Sequence, residues 1–344
     1  MRLEGIFVQA TGVRLPARLR VSDAVAAGEC PPRTADTTGV VSVAYSPDES
    51  AAEMAVAAAG SALDRARTQP DDIDLILHAD TYHQGQDLWP VASYIQRETL
   101  RSTCPALEIR QMSNGGLAAL DLAAAYLSAA PGRRQALLTT ADRFCPPGID
   151  RWRTDPGTPY ADGGTALVLS RQGGFASVAS LALFADSELE PLHRGDTPFS
   201  PAPFTHGMPV DFDAAKRAFV ERMGISYAVA RSGAGQYNVV KEALSDAGME
   251  LADAAWVILP HFGRRRLQSI YYRPFGIDPG RTTWDWSRTV GHLGAGDQFA
   301  SLDRLVVSGL AAPGDRCVLM SVGAGYSWGC AVVDILDRPD WAAG

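Results

Sequence analysis

The sequence predicts an α/β fold: a mostly parallel sheet covered by helices on both faces, built in two similar halves. Three observations carry this. Short β-rich runs alternate with helical segments along most of the chain. Two stretches, SNGGLAALDLAAAYL from Ser113 and GAGDQFASLDRLVVSGL from Gly294, set small residues ahead of a helix with Leu–Asp in its body. Such an internal repeat points to halves related by a pseudo-twofold. At 344 residues and 46% hydrophobic composition, the chain is also large for one core. The halves are placed at residues 1–170 and 171–344, with an irregular insertion near 185–215.

The elements follow in order. GIFVQATGVRLP reads as a strand ending at Pro16, and residues 17–48, polar with Pro31, Pro32 and Gly39, read as a long surface loop. SPDESAAEMAVAAAGSALDRA starts a helix: Ser46 or Asp48 can cap it, and Glu49 and Glu53 suit its positive end. IDLILHADTYHQG is a short strand, Pro90 precedes the helical VASYIQRET, and ALEIRQM is a further strand leading into SNGG and the Ala/Leu helix. RRQALLTTADRF and ALVLS are the last strands of the first half. In the second half the whole region 171–215, rich in Pro and His, reads as irregular and suited to cover a site. FVERMGISYAVARSGAGQYNVVKEALSDAGM reads as one amphipathic helix, AAWVILPHF as a strand and RRRLQSIYYRPFG as a helix. The second glycine loop and its helix follow, and CVLMSVGAGYSWGCAVVDIL forms a terminal hairpin.

A net charge of -8 argues against nucleic acid as the main partner, although an acidic carrier protein could dock at a local basic patch. Five cysteines without regular spacing make neither a disulfide framework nor a zinc site. No apolar run reaches the length of a membrane span, and the first residues lack the features of a secretion signal, so a cytoplasmic location is expected.

Six segments in order, WPVASYIQ, SNGGL, PYADGGTALVLS, LPHFGRRR, VGHLGAGDQFASL and SVGAGYSWG, resemble the type III β-ketoacyl synthase family of the thiolase superfamily. The resemblance spans nearly the whole chain. It implies a thiolase-like α-β-α-β-α layered body and a homodimer, with the WPVASYIQ region near the interface. It also implies a nucleophile at the start of the first buried helix. Ser113 occupies that position, where the family usually has cysteine. The family's backbone oxyanion donors match Ser113 and Ala324. A helix start suits such a site, because its N–H groups favour developing negative charge, and glycines let a substrate approach closely.

The family's condensing members use a histidine and an asparagine. His261 matches the histidine, but His292 stands at the asparagine position. That substitution resembles an offshoot which moves acyl groups without condensing them, through a nucleophile–histidine–aspartate triad. Ser113, His292 and Asp297 match the triad. A related serine-bearing offshoot selects starter units for aromatic polyketides, and the motifs do not separate the two. The resemblance implies an acyl-pantetheine thioester, on acyl carrier protein or coenzyme A, as substrate, with a carrier-protein, hydroxyl or amine acceptor and no bound cofactor or metal. It sets Arg266 near the pantetheine entrance, making Arg264, Arg265 and Arg266 candidates for phosphate or carrier docking.

Plainer roles stand beside these. Ser113 can be a helix cap, the mark of an inactive enzyme or an engineered replacement of cysteine, and Asp297 can cap its own helix. Cys104 is a rival nucleophile outside the motif, Arg264–Arg266 can be a solvated face, and His83 and His206 read as ordinary loop residues. Transfer, starter-unit condensation and a non-catalytic role binding acyl carriers all remain open at this point.

Overall fold

A computed structural model describes residues 1–205 and 207–342; His206 lies outside them. Among the described residues eleven strands form: β1 (Phe7–Arg14), β2 (Arg18–Arg20), β3 (Ser42–Ala44), β4 (Ile73–Ala79), β5 (Ala106–Ile109), β6 (Gln135–Asp142), β7 (Gly163–Ser170), β8 (Ala176–Ala185), β9 (Trp256–Ile258), β10 (Arg316–Gly323) and β11 (Ser327–Ile335). The helices that matter here are α1 (Ala51–Ala66), α2 (Val91–Thr99), α3 (Gly115–Ser128), α4 (Phe212–Met223), α5 (Ile225–Asp246) and α6 (Asp297–Val307).

Nine strands join in the order β5-β4-β6-β7-β1-β8-β11-β10-β9. Apart from the edge strand β5, the order reads alike outward from the β1–β8 seam. In the first half β4 pairs β6 in parallel, β6 pairs β7 antiparallel, and β7 pairs β1 antiparallel. In the second, β9, β10, β11 and β8 repeat that sequence of pairings. The halves meet where β1 touches β8 at Phe7–Ser177 and Val8–Ala176. The expectation of a mostly parallel sheet is corrected. Each half closes with an antiparallel pair, β6–β7 or β10–β11, so antiparallel pairings predominate.

The strand sequences explain the layers. Alternate residues of a strand face opposite sides. Ala136 and Leu138 of β6 point to the central core, while Leu137 and Ala141 point to the core under α1. Likewise Leu319 of β10 joins the central core, and Val318 and Met320 join the core under α5. Strands buried on both faces therefore read as nearly continuous apolar runs. The central core packs Leu117, Leu120 and Leu127 of α3 with Phe299, Leu302 and Leu305 of α6, between strands of both halves. This is a thiolase-like arrangement, with α3 and α6 in the middle layer and α1 and α5 outside.

Several local expectations change. The cap of α1 is Ser50, not Ser46 or Asp48, and Ser50 and Glu53 satisfy each other's backbone N–H groups reciprocally. Residues 17–48 are not a surface loop: they hold β2, β3 and two short helices, and Val21, Cys30, Val40 and Val43 pack with Trp152, Val290 and Leu293. The irregular stretch begins only after β8. The helix expected to span residues 219–249 breaks at Gly224, where φ is 85°, into α4 and α5. No helix is long and apolar enough, among the described residues, to cross a membrane.

Candidate active site

Ser113 sits in a single helical turn, Met112–Asn114, that leads from β5 into α3. Its neighbour Met112 is left-handed at φ 50°, a conformation disfavoured for any residue with a Cβ. The second glycine loop comes up against this turn from the other half. A Cβ on Gly116 would lie 2.5 Å from the carbonyl oxygen of Ala295. The glycine therefore allows the two loops to touch, rather than admitting a substrate.

That contact brings His292 to Ser113. Ser113 Oγ lies 2.8 Å from His292 Nε2, and His292 Nδ1 lies 2.5 Å from Asp297 Oδ2. An ionised Asp297 only accepts, so Nδ1 carries the proton and Nε2 is free to accept from the serine hydroxyl. Asp297 opens α6 and is 1% exposed. Its oxygens also accept the backbone N–H of His261 at 2.7 Å and of Leu293 at 2.8 Å. Burial alone would raise its pKa. The nearby His261 and His292, with the hydrogen bonds they give, outweigh that and hold Asp297 below the usual carboxylate range.

The turn between β10 and β11 completes the surroundings. Ala324 in that turn lines the same cavity as Ser113 and His292. Ser321 Oγ donates to the carbonyl of Ser113 at 3.0 Å. A Cβ on Gly323 would lie 2.3 Å from the Gln111 carbonyl oxygen, so only glycine lets this turn settle against the serine loop.

The cavity measures about 720 Å³. Its walls are largely apolar, with the aromatic side chains Tyr82, Phe144, Tyr160, Phe262, Tyr326 and Trp328 among them. It runs out past Ile225, Val229 and Tyr237, which are exposed on α5. Among the described residues no group of three or more His, Cys, Asp or Glu side chains could hold a metal ion.

His261 and the arginine run stand apart from the Ser113–His292–Asp297 chain. His261 is buried but is not part of the cavity wall. Its Nδ1 donates to the Gly291 carbonyl at 2.9 Å, its Nε2 accepts from Ser301 Oγ at 2.8 Å, and Trp286 stands edge-on to its ring. Burial pushes its pKa below the ordinary histidine value, against the opposing pull of Asp297. With both nitrogens engaged and its backbone N–H on Asp297, it supports the carboxylate that orients His292. The arginines also divide. Arg264 and Arg265 are exposed, whereas Arg266 turns inward. There its guanidinium forks onto Asp155 at 2.6 and 2.7 Å and also meets Thr158. Its charge is committed inside the cavity wall instead of being offered to a docking partner.

Asp155 and Lys216 escaped the sequence reading. Lys216 Nζ reaches Asp155 at 3.0 Å. Burial would raise Asp155, but Arg266 and Lys216 hold it well below the usual carboxylate range. Lys216 is one of two lysines in the chain, the one signal that could have singled it out. Cys104 is half-buried beside Ser102 and Gln96 and has no place in the cavity wall. His83 pairs loosely with Asp87.

The layered body and the serine at the start of its central helix define a thiolase-fold protein. The 3-oxoacyl-[acyl-carrier-protein (ACP)] synthase III C-terminal family matches residues 244–335. The solved structure of ChlB3, titled an acyltransferase, superposes with a TM-score of 0.93 at 37% identity, covering 98% of this chain and 99% of that one. A β-ketoacyl-[acyl-carrier-protein] synthase III of Rhizorhabdus wittichii is 27% identical over 83% of this chain and 84% of its own length. The priming β-ketosynthase of the R1128 polyketide pathway shares the fold, with a TM-score of 0.75 at 20% identity and 98% coverage of both chains. The chain belongs to the ketosynthase III-like family of the thiolase superfamily, a family of enzymes.

Proposed function

We propose that this protein is an acyltransferase that works through an acyl-Ser113 intermediate. One observation carries the reading: the unbroken hydrogen-bond chain from Ser113 through His292 to Asp297, at a cavity of about 720 Å³. The donor is a pantetheine thioester on an acyl carrier protein or coenzyme A. His292 Nε2 takes the hydroxyl proton as Ser113 Oγ bonds to the thioester carbon. The backbone N–H groups of Ser113 and Ala324 stabilise the oxyanion. The carbon–sulfur bond then breaks, and the thiol leaves with the proton from His292. An acceptor, a carrier-protein thiol or a hydroxyl or amine of a natural product, gives its proton to His292 and takes the acyl group, restoring Ser113.

The 37% likeness to ChlB3 supports transfer. A second reading, decarboxylative condensation with malonyl-carrier, draws on the synthases among the relatives. The occupied ring of His261 speaks against it, because the histidine matching the one that condensing members use has both ring nitrogens engaged and lies outside the cavity wall.

The test supplies a labelled acyl thioester, malonyl-carrier and a non-malonyl acceptor together. Transfer predicts label on the acceptor without release of carbon dioxide. A β-ketoacyl product dependent on Ser113 would establish condensation instead. Intact mass should show an acyl adduct on the wild type and on Ser113→Cys but none on Ser113→Ala. No adduct from any thioester would leave a non-catalytic carrier-binding role. The homodimer is likewise proposed: Leu88 and Leu107, near α2 and on the edge strand β5, are exposed apolar residues suited to a seam. Sedimentation analysis checks it.

A further inference from the structure

Several polar groups of the cavity wall are spoken for. Ser113 and His292 bond each other, Asp155 holds Arg266 and Lys216, and the Tyr82 hydroxyl donates to the Cys145 carbonyl. Gln236 on α5 differs. It is 3% exposed and lines the cavity, yet neither its Oε1 nor its Nε2 has a hydrogen-bond partner among the described residues. Its helix is held close to the floor of the cavity, since a Cβ on the adjacent Gly235 would lie 2.5 Å from the ring of Trp328. Buried amides in folded proteins are nearly always satisfied, and one with both ends idle calls for a reason.

A second group repeats the pattern. His193 also lines the cavity, wedged against Phe212 at 4.7 Å and Tyr326 at 5.1 Å between ring centroids. Its Nδ1 is buried without a partner among the described residues. Burial pushes its pKa down to about 4, so it is neutral near pH 7.

We infer that Gln236 is a specificity residue for the acyl group, and that the group it selects carries a hydroxyl. A hydroxyl is the smallest function that satisfies both ends of the amide, donating to Oε1 and accepting from Nε2. A carboxylate would meet Nε2 but be repelled by Oε1. The neighbouring cations do not recruit one, because Asp155 already holds both. A plain alkyl or aryl group would leave the amide buried and unpaired, the situation by which polar sites reject analogues that lack a hydroxyl. The inference rests on the acyl-Ser113 reading, in which the acyl group occupies this cavity.

The experiment measures acylation of Ser113 by intact mass with matched thioesters of N-acetylcysteamine: butanoyl against hydroxybutanoyl, and benzoyl against hydroxybenzoyl, with the hydroxyl at each available position. The wild type should favour at least one hydroxylated member by about tenfold or more. Gln236→Met should remove that preference, the hydroxylated member losing its advantage over the plain acyl group. Its melting temperature should stay level or rise, because an unpaired amide has been taken out of the interior. A pantetheine amide could also meet Gln236, so each acyl group is repeated on pantetheine. If Gln236→Met alters only the advantage of pantetheine over N-acetylcysteamine, the amide serves the arm and the inference is wrong. Equal preferences in wild type and variant overturn it, as does a marked loss of stability. No adduct from any thioester would defeat the acyl-Ser113 reading itself, whereas adducts formed at equal rates defeat only the role of Gln236.

Discussion

His292 and His261 make the most instructive comparison in the molecule. Both are buried, both touch Asp297, and both lie in short glycine-bearing segments of the second half. His292 gives Asp297 its ring N–H and turns its other nitrogen to Ser113. His261 gives Asp297 its backbone N–H and spends both ring nitrogens on Gly291 and Ser301. The residue type sets what an imidazole can do. Its free nitrogen decides whether it does it.

The sharpest way to break the comparison is to remove each ring in turn. His292→Ala should slow acyl transfer by about a hundredfold or more, and should lower the melting temperature as well, because the buried Asp297 loses its Nδ1–H donor. Single-turnover rates and calorimetry read both. Equal rates in this variant and the wild type would remove His292 from the proton transfers.

Asp297→Asn comes next. An amide cannot hold the imidazolium by charge, and its NH₂ end would face N–H donors that now point at a carboxylate. Transfer should fall, by about tenfold or more, and stability should fall with it, since Asp297 anchors His261 and Leu293. A variant that loses activity while keeping its melting temperature would show that these backbone contacts matter less than the geometry indicates.

His261→Gln should act mainly on stability. It leaves the Gly291 carbonyl and the Ser301 hydroxyl imperfectly paired in the interior, at a cost of about 1–3 kcal/mol, with a small effect on rate through Asp297. A rate loss as large as that of His292→Ala would restore His261 to the chemistry.

A smaller effect appears in pH. The folded-state pKa of His261 is depressed, so as pH falls the unfolded chain binds the proton first. Its contribution is full above the ordinary histidine value of about 6.5 and is lost as pH drops below it. The denaturant midpoint should decline from pH 7 to pH 5, and less so in His261→Gln. His78 and His193, pushed down by burial to about 4, will keep part of the slope.

The arginines give the same lesson on a smaller scale. Arg265 is exposed, while Arg266 is bound to Asp155. Arg265→Glu should scarcely move the melting temperature, as surface charges contribute little. The same change at Arg266 would set two carboxylates together beside Lys216 and should destabilise the fold strongly.

By itself the sequence determined the α/β class, the repeated halves, the serine at a helix start and the histidine followed by aspartate in GHLGAGD. These are local properties: apolar periodicity, small residues before a helix, and residue types within a few positions of one another. Tertiary structure decided the rest. Ser113 and His292 lie 179 residues apart and meet only because the glycine loops of the two halves pack against each other. His261 and Arg266, both in LPHFGRRR, could be named from the sequence, but their duties could not. Their partners Gly291, Ser301 and Asp155 are supplied by other loops. The buried amide of Gln236 left no sequence signal, because a glutamine on an amphipathic helix reads as solvated until its neighbours are known. A hydrogen bond depends on distance and direction between two groups, and for groups far apart in the chain only the folded backbone sets those.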